Sequence, residues 1–207
     1  MQGFVRCKFY SMVSKFQLPR LGHGRGAGGA PLLECKEYLA QPSGFVISQK
    51  AAQKHGITQD MASEQGLPLR DVLSELLAMV GRAEALGARL VVHHLEFDSG
   101  IVAQQLSEAG LAHEREQWVA FARKGFCTMD PDVGAWAQRC MGRDVSPDEK
   151  SAPMMSLKAA ANLLLPKSDL VEALQKHHHT AGADAQLHRL LYIALRSLAA
   201  RNQDPVA

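Results

Sequence analysis

The sequence predicts a single α/β domain in which a small mixed sheet is flanked by helices. Three observations predict it. A short, mostly apolar run, ARLVV at residues 88–92, has the form of a strand covered on both faces. Segments with apolar residues at three- and four-residue spacing precede and follow that run, so strand and helix alternate. The composition, 46% apolar and 21% charged over 207 residues, suits one full core, and no stretch reads as a linker between domains.

The elements follow in order. GFVRCKFYSMV (3–13) reads as a strand and LGHGRGAGGAP (21–31) as a flexible Gly-rich loop. LLECKEYLAQP (32–42) alternates as a second strand and stops at Pro42. SQKAAQKHG is a short helical piece closed by Gly56, Thr58 caps a brief turn, and Pro68 opens the next element. From Asp71 to Leu86, residues Val72, Leu73, Leu76, Leu77, Val80 and Ala83 share one helix face, and Gly87 ends it. After ARLVV, Asp98 to Ala109 is helical with Ile101, Val102, Gln105 and Leu106 in register, and Gly110 terminates it. Asp130 before Pro131 starts a helix through DVGAWAQRCM, and residues 143–153 are a polar loop. Ser156 to Leu165 is helical up to Pro166, Ser168 caps a helix to about Gln175, and the last helix runs from Ala181 to Ala200. Residues 1–33 therefore form a basic, Gly-rich N-terminal segment, 34–198 the folded domain and 199–207 a tail.

Bulk properties exclude some functions. A net charge of +2 does not by itself point to a polyanion, so any nucleic-acid contact must be locally arranged. No run of 18 apolar residues occurs, which excludes a membrane-spanning helix. Cys7, Cys35, Cys127 and Cys140 contain no CxxC pair, so they read as free thiols of a reducing compartment, the cytoplasm or nucleus. Residues 1–33 contain no acid, while Arg6, Lys8, Lys15, Arg20 and Arg25 are basic. Organelle transit peptides share that bias, but the serine and arginine density they show is missing.

Two aspartates stand out. Asp98 precedes Ile101 and Val102 by three and four residues and so faces inward on its helix. Asp184 stands in the same relation to Leu187 on the last helix, whose stripe continues through Leu191, Leu195 and Leu198. An inward carboxylate is costly unless it is paired, hydrogen-bonded or bound to a cation. Either Asp98 is a helix cap, or the pair supplies hard oxygen ligands to an ion such as Mg²⁺. His179 precedes Asp184 by five residues, at the entry to the same helix, where a neutral imidazole can take a proton from water. His177 and His178 read as the solvated end of the preceding helix. Three adjacent histidines cannot all point at one ion, which argues against a zinc site in HHH.

VVHHLEFDSGIV resembles the second motif of the DEDDh 3′–5′ exonucleases, a ribonuclease H-like family that includes bacterial proofreading subunits and the animal three-prime repair exonucleases. HTAGAD resembles the third motif, ISQKAAQKHGIT the His-Gly-Ile segment, and MSLKAAANLL the Ser-Leu helix before the third motif. The likeness spans residues 34–198, and its strength lies in the joint order. It implies a ribonuclease H-like mixed sheet flanked by helices, with Asp98 and Asp184 as catalytic metal ligands for Mg²⁺ or Mn²⁺ and His179 as general base. It further implies that His55, Gly56, Ile57, His94 and Phe97 bind substrate, the 3′ ends of single-stranded nucleic acid. The His-Thr-Ala-x-x-Asp form tilts that substrate towards DNA.

Two departures modify the expectation. The family's Asn of the second motif is His94 here. The first motif, Asp-x-Glu on the opening strand, has no counterpart, since no acid precedes Glu34 and only 54 residues precede His55. The chain is thus expected to begin at the family's second strand, to lack the first, and to bind metal weakly. Two functional readings stay open, a truncated or inactive 3′–5′ exonuclease that uses a two-metal mechanism and a catalytically dead module that binds nucleic acid or a partner. A third, an unrelated α/β protein whose aspartates are caps, is disfavoured by the motif order.

Overall fold

The computed structural model describes residues 37–142, 156–177 and 179–202, together with the backbone of residues 16–17. Its sheet has three strands, β1 (Phe16–Gln17), β2 (Arg89–Val92) and β3 (Phe126–Cys127), in that order. β1 runs antiparallel to β2, with Phe16 opposite Leu90, and β3 runs parallel to β2, with Val91 opposite Phe126.

β2 explains the layering. Alternate side chains of a strand point to opposite faces, and Leu90, Val91 and Val92 are all buried. Leu90 and Val92 join Leu73, Leu76 and Val80 of α3 (Leu69–Ala85), Val102 and Leu106 of α4 (Leu95–Glu108), and Trp118 and Phe121 of α5 (Ala112–Ala122). Val91 points the other way, to Ala137 of α6 (Pro131–Cys140) and Tyr192 and Leu195 of α9 (Ala181–Asn202). Phe126 of β3 meets Tyr192 edge-on, with ring centroids 5.1 Å apart. Helices thus cover both faces of the sheet, an α/β arrangement in which each fully buried Leu or Val contributes about 1.5–3 kcal/mol. α7 (Leu157–Leu164) and α8 (Asp169–Lys176) extend the second layer, packing Ala161 and Leu174 on Ala183 and Leu187 of α9. α1 (Gln49–His55) and α2 (Gln59–Gln65) form a smaller cluster with Ile47, Ala51 and Ala62.

Local chemistry sets the helix ends. Ser48, Thr58, Ser156 and Ser168 each accept a first-turn amide through the hydroxyl, and Asp130 accepts the amide of Asp132. No described helix is long and apolar enough to cross a membrane.

Several expectations need correction. Residues 32–42 do not add a strand to the sheet in their described part. From Glu37 onward the chain makes only isolated bridges, because Leu39 and Gln41 pair with Leu67 instead, both hydrogen bonds at 2.8 Å. The helix expected from Asp98 starts at Leu95, and the brief turn after Thr58 is the seven-residue helix α2. The last helix continues to Asn202 and buries Ala199, inside the expected tail. α5 and β3 occupy a stretch without a periodic signal. The strand expected at 3–13, the Gly-rich loop at 21–31 and the polar loop at 143–153 lie outside the described residues.

Candidate functional site

β2 ends at Val92, and the chain turns through His93 and His94 into α4. His94 is left-handed, with φ 76° and ψ 56°, and occupies the N-cap position without a side-chain capping bond. Its ring stacks on Phe97 with centroids 5.3 Å apart and planes inclined by 19°. The amide of Leu95 donates to Cys127 Sγ at 3.5 Å, which ties the start of α4 to β3. Asp98 is therefore the half-buried fourth residue of α4 and not its cap, which overturns the capping alternative. Its amide donates to His94 O at 3.2 Å.

A second left-handed histidine leads into α9. His177 closes α8 in an exposed position, as expected, and Thr180 folds back on its carbonyl through the amide and the hydroxyl, at 3.1 and 2.9 Å. His178 lies outside the described residues. His179 has φ 82°, and its amide donates to Asp184 Oδ1 at 3.2 Å. Asp184 is half-buried and, like Asp98, the fourth residue of its helix. Among the described residues, His94 and His179 are the two non-glycine positions with positive φ. Such backbone costs about 1–3 kcal/mol per residue and persists only where its surroundings hold it.

The ends of β2 and β3 and the early turns of α9 converge in a polar cluster that sequence reasoning missed. His93 Nδ1 lies 3.1 Å from Thr128 Oγ1, and the rings of His93 and His188 are 5.9 Å apart. Thr128 is 8% and His188 5% exposed, so both are core residues. The available signal was His188 itself, four residues after Asp184 between the core residues Leu187 and Leu191. Glu37 also reaches α9, since a Cβ built on Gly182 would stand 3.3 Å from Glu37 Oε2.

The His-Gly-Ile segment closes α1. Gly56 has φ 75°, and its amide donates to Ala52 O at 2.8 Å, a left-handed C-cap that glycine adopts without strain. A Cβ there would meet no heavy atom within 4 Å, so the dihedral, not crowding, accounts for the glycine. Ile57, like Leu39 and Phe45, packs against the cluster of Ile47, Ala51 and Ala62. Residues 37–39 thereby reach the cluster beneath this loop through Leu39 and the first turn of α9 through Glu37.

His55 Nδ1 accepts the Ile57 amide at 3.1 Å, which places the neutral ring's proton on Nε2. Nε2 is buried and has no hydrogen-bond partner among the described residues, and burial lowers the imidazole pKa below its ordinary value. Folding thus favours neutral His55. Its contribution is complete above the ordinary histidine pKa, about 6.5, and is lost as pH falls below that value. His55→Gln should flatten the decline of unfolding free energy between about pH 7 and 5. Parallel urea-denaturation profiles for the two proteins over that range would contradict it.

Asp98 and Asp184 offer the hard oxygens that Mg²⁺ or Mn²⁺ prefers. Among the described residues, however, no group of three or more His, Cys, Asp and Glu side chains forms a metal cage. Asp184 Oδ1 is also engaged by the His179 amide. Carboxylate oxygens of this kind suit a hard cation whose coordination is completed by water or phosphate oxygens.

No protein-family model matches the chain, and neither a curated protein nor a solved structure does.

Proposed function

We propose that the chain is a DEDDh-type 3′–5′ exonuclease-family protein of ribonuclease H-like fold that holds single-stranded 3′ ends and hydrolyses them poorly or not at all. One observation carries the proposal. His94 and His179 are both left-handed, and each leads into a helix whose fourth residue is a half-buried aspartate. Strain repeated at the two positions that match the family's second and third motifs is what a site under functional constraint retains. The central β2, with an antiparallel neighbour, a parallel neighbour and helices on both faces, supports the same fold.

In this reading, Asp98 and Asp184 would hold a single Mg²⁺ or Mn²⁺, which would supply Lewis-acid chemistry at the terminal phosphodiester. His179 accepts the proton of a water near Asp184. His55, Gly56 and Ile57 border the terminal nucleotide, and the stacked pair His94 and Phe97 supports it from the other motif. A second reading, a catalytically dead module that binds nucleic acid or a partner, is favoured by the engagement of Asp184 Oδ1 by the His179 amide.

End recognition separates this proposal from general nucleic-acid binding. In Mg²⁺, a linear single strand with a 3′ hydroxyl should bind at least about tenfold more tightly than a circular strand of the same composition, a difference of about 1.4 kcal/mol. Chelation of the metal should remove that difference. Equal affinity for linear and circular strands, measured by fluorescence anisotropy, would refute end recognition.

A further inference from the structure

Beside α4 lies a groove of about 560 Å³, bounded by the end of α5 and the connection from β3 to α6. It opens at His94, whose ring stacks on Phe97, so it adjoins the second-motif turn without including either aspartate of the candidate site. Ala103, Val119, Met129 and Pro131 give it apolar walls, and Glu96, Arg123 and Asp130 give it three charges. Gly100 lines it as well, and a Cβ there would meet nothing within 4 Å.

We propose that this groove binds a guanine nucleotide. Its volume lies within the roughly 300–1,000 Å³ of ligand pockets and accommodates one nucleotide unit. The apolar lining suits the face of a flat base. A carboxylate only accepts hydrogen bonds, and guanine alone among the four bases presents two adjacent donors, N1–H and N2–H, on one edge. Adenine and cytosine set an acceptor beside the amino donor, and uracil flanks its one donor with carbonyls. Asp130 already caps α6, its Oδ1 accepting the Asp132 amide at 2.8 Å, and Glu96 is the carboxylate assigned here to the base edge. Arg123 supplies the cation for the phosphate, as guanidinium groups do. For a strand, the inference rests on the proposed nuclease reading and places a guanine near the 3′ end. For a free nucleotide, it stands without that reading.

The experiment titrates the four nucleoside 5′-monophosphates into the full chain and follows affinity by calorimetry and backbone amide shifts by NMR. Guanosine monophosphate should bind about tenfold more tightly than the other three, the scale of one good base-edge contact, and should shift the amides of Ser99 to Ala103. Glu96→Gln should erase the preference. Gly100→Leu should abolish binding while the chain stays folded, because leucine favours a helix more than glycine and the space is open. Guanosine monophosphate binding unchanged in Gly100→Leu, no preference among the four, or no nucleotide binding would each overturn the inference. Asp184→Asn separates the two ideas. It should leave mononucleotide binding intact while weakening the hold on linear strands.

Discussion

A version of the chain extended at its N-terminus by a strand carrying Asp-x-Glu should hydrolyse single-stranded DNA ends in Mg²⁺, whereas the 207-residue chain should show little or no turnover. The motivation is chemical. The family's Asp-x-Glu has no counterpart among these residues, since no acid precedes Glu34. Two-metal hydrolysis requires carboxylates shared between the ions to place both the attacking and the leaving oxygen. Losing those ligands should exceed the loss of a general base, which contributes about 10²–10⁴-fold. In the extended form, His179→Ala should cost a factor in that range, and Asp184→Ala should abolish activity. Robust activity in the unextended chain that disappears on Asp184→Ala would show a site complete without the first motif.

Gly66→Ala should give the largest loss of stability among the described glycine positions. Gly66 ends α2, and its amide donates to Ala62 O at 3.1 Å. A Cβ there would press against Ala62 O and stand 2.8 Å from Gln41 N and 2.9 Å from Ala40 C. All three are backbone atoms, and the bonds between Leu67 and residues 39 and 41 hold the two segments at that distance. Overpacking of this kind costs about 1–3 kcal/mol, a fall in Tm of about 2–12 °C. Gly81→Ala is the control. Gly81 lies inside α3 with nothing within 4 Å of its Cβ, so alanine should stabilise by up to about 1 kcal/mol. Thermal unfolding of both variants is the measurement, and a Gly66→Ala protein as stable as Gly81→Ala would contradict the packing described here.

What sequence pattern revealed, and what it did not, follows from how local each signal is. ARLVV announces a strand covered on both faces because Leu90, Val91 and Val92 are each apolar, and all three are buried. The stripe of α3 and the spacing of His179 to Asp184 are equally local. The start of α4 was misplaced because a left-handed His94 sets it, and that dihedral has no compositional signature outside glycine. α5 escaped notice because its buried residues, Trp118, Phe121 and Ala122, gather in its last turns behind a polar beginning. β3 has only two residues, too few to show alternation. The segment before Pro42 looked like a strand, yet the choice of Leu67 as its partner depends on tertiary packing. For the same reason, the proximity of His93, Thr128 and His188, contributed by three separate elements, could not be read from spacing.

The affinity for Mn²⁺ in the presence of a linear strand with a 3′ hydroxyl, followed through the paramagnetic resonance of the free ion, tests whether Asp98 and Asp184 act together. Asparagine at 184 keeps an oxygen to accept the His179 amide, so the turn into α9 is preserved while the charge is removed. The chain should hold one ion with its strand, and Asp98→Asn and Asp184→Asn should each weaken that binding at least about tenfold, 1.4 kcal/mol. The same Mn²⁺ affinity in all three proteins would mean that the two aspartates do not share a cation, and would contradict the proposed function.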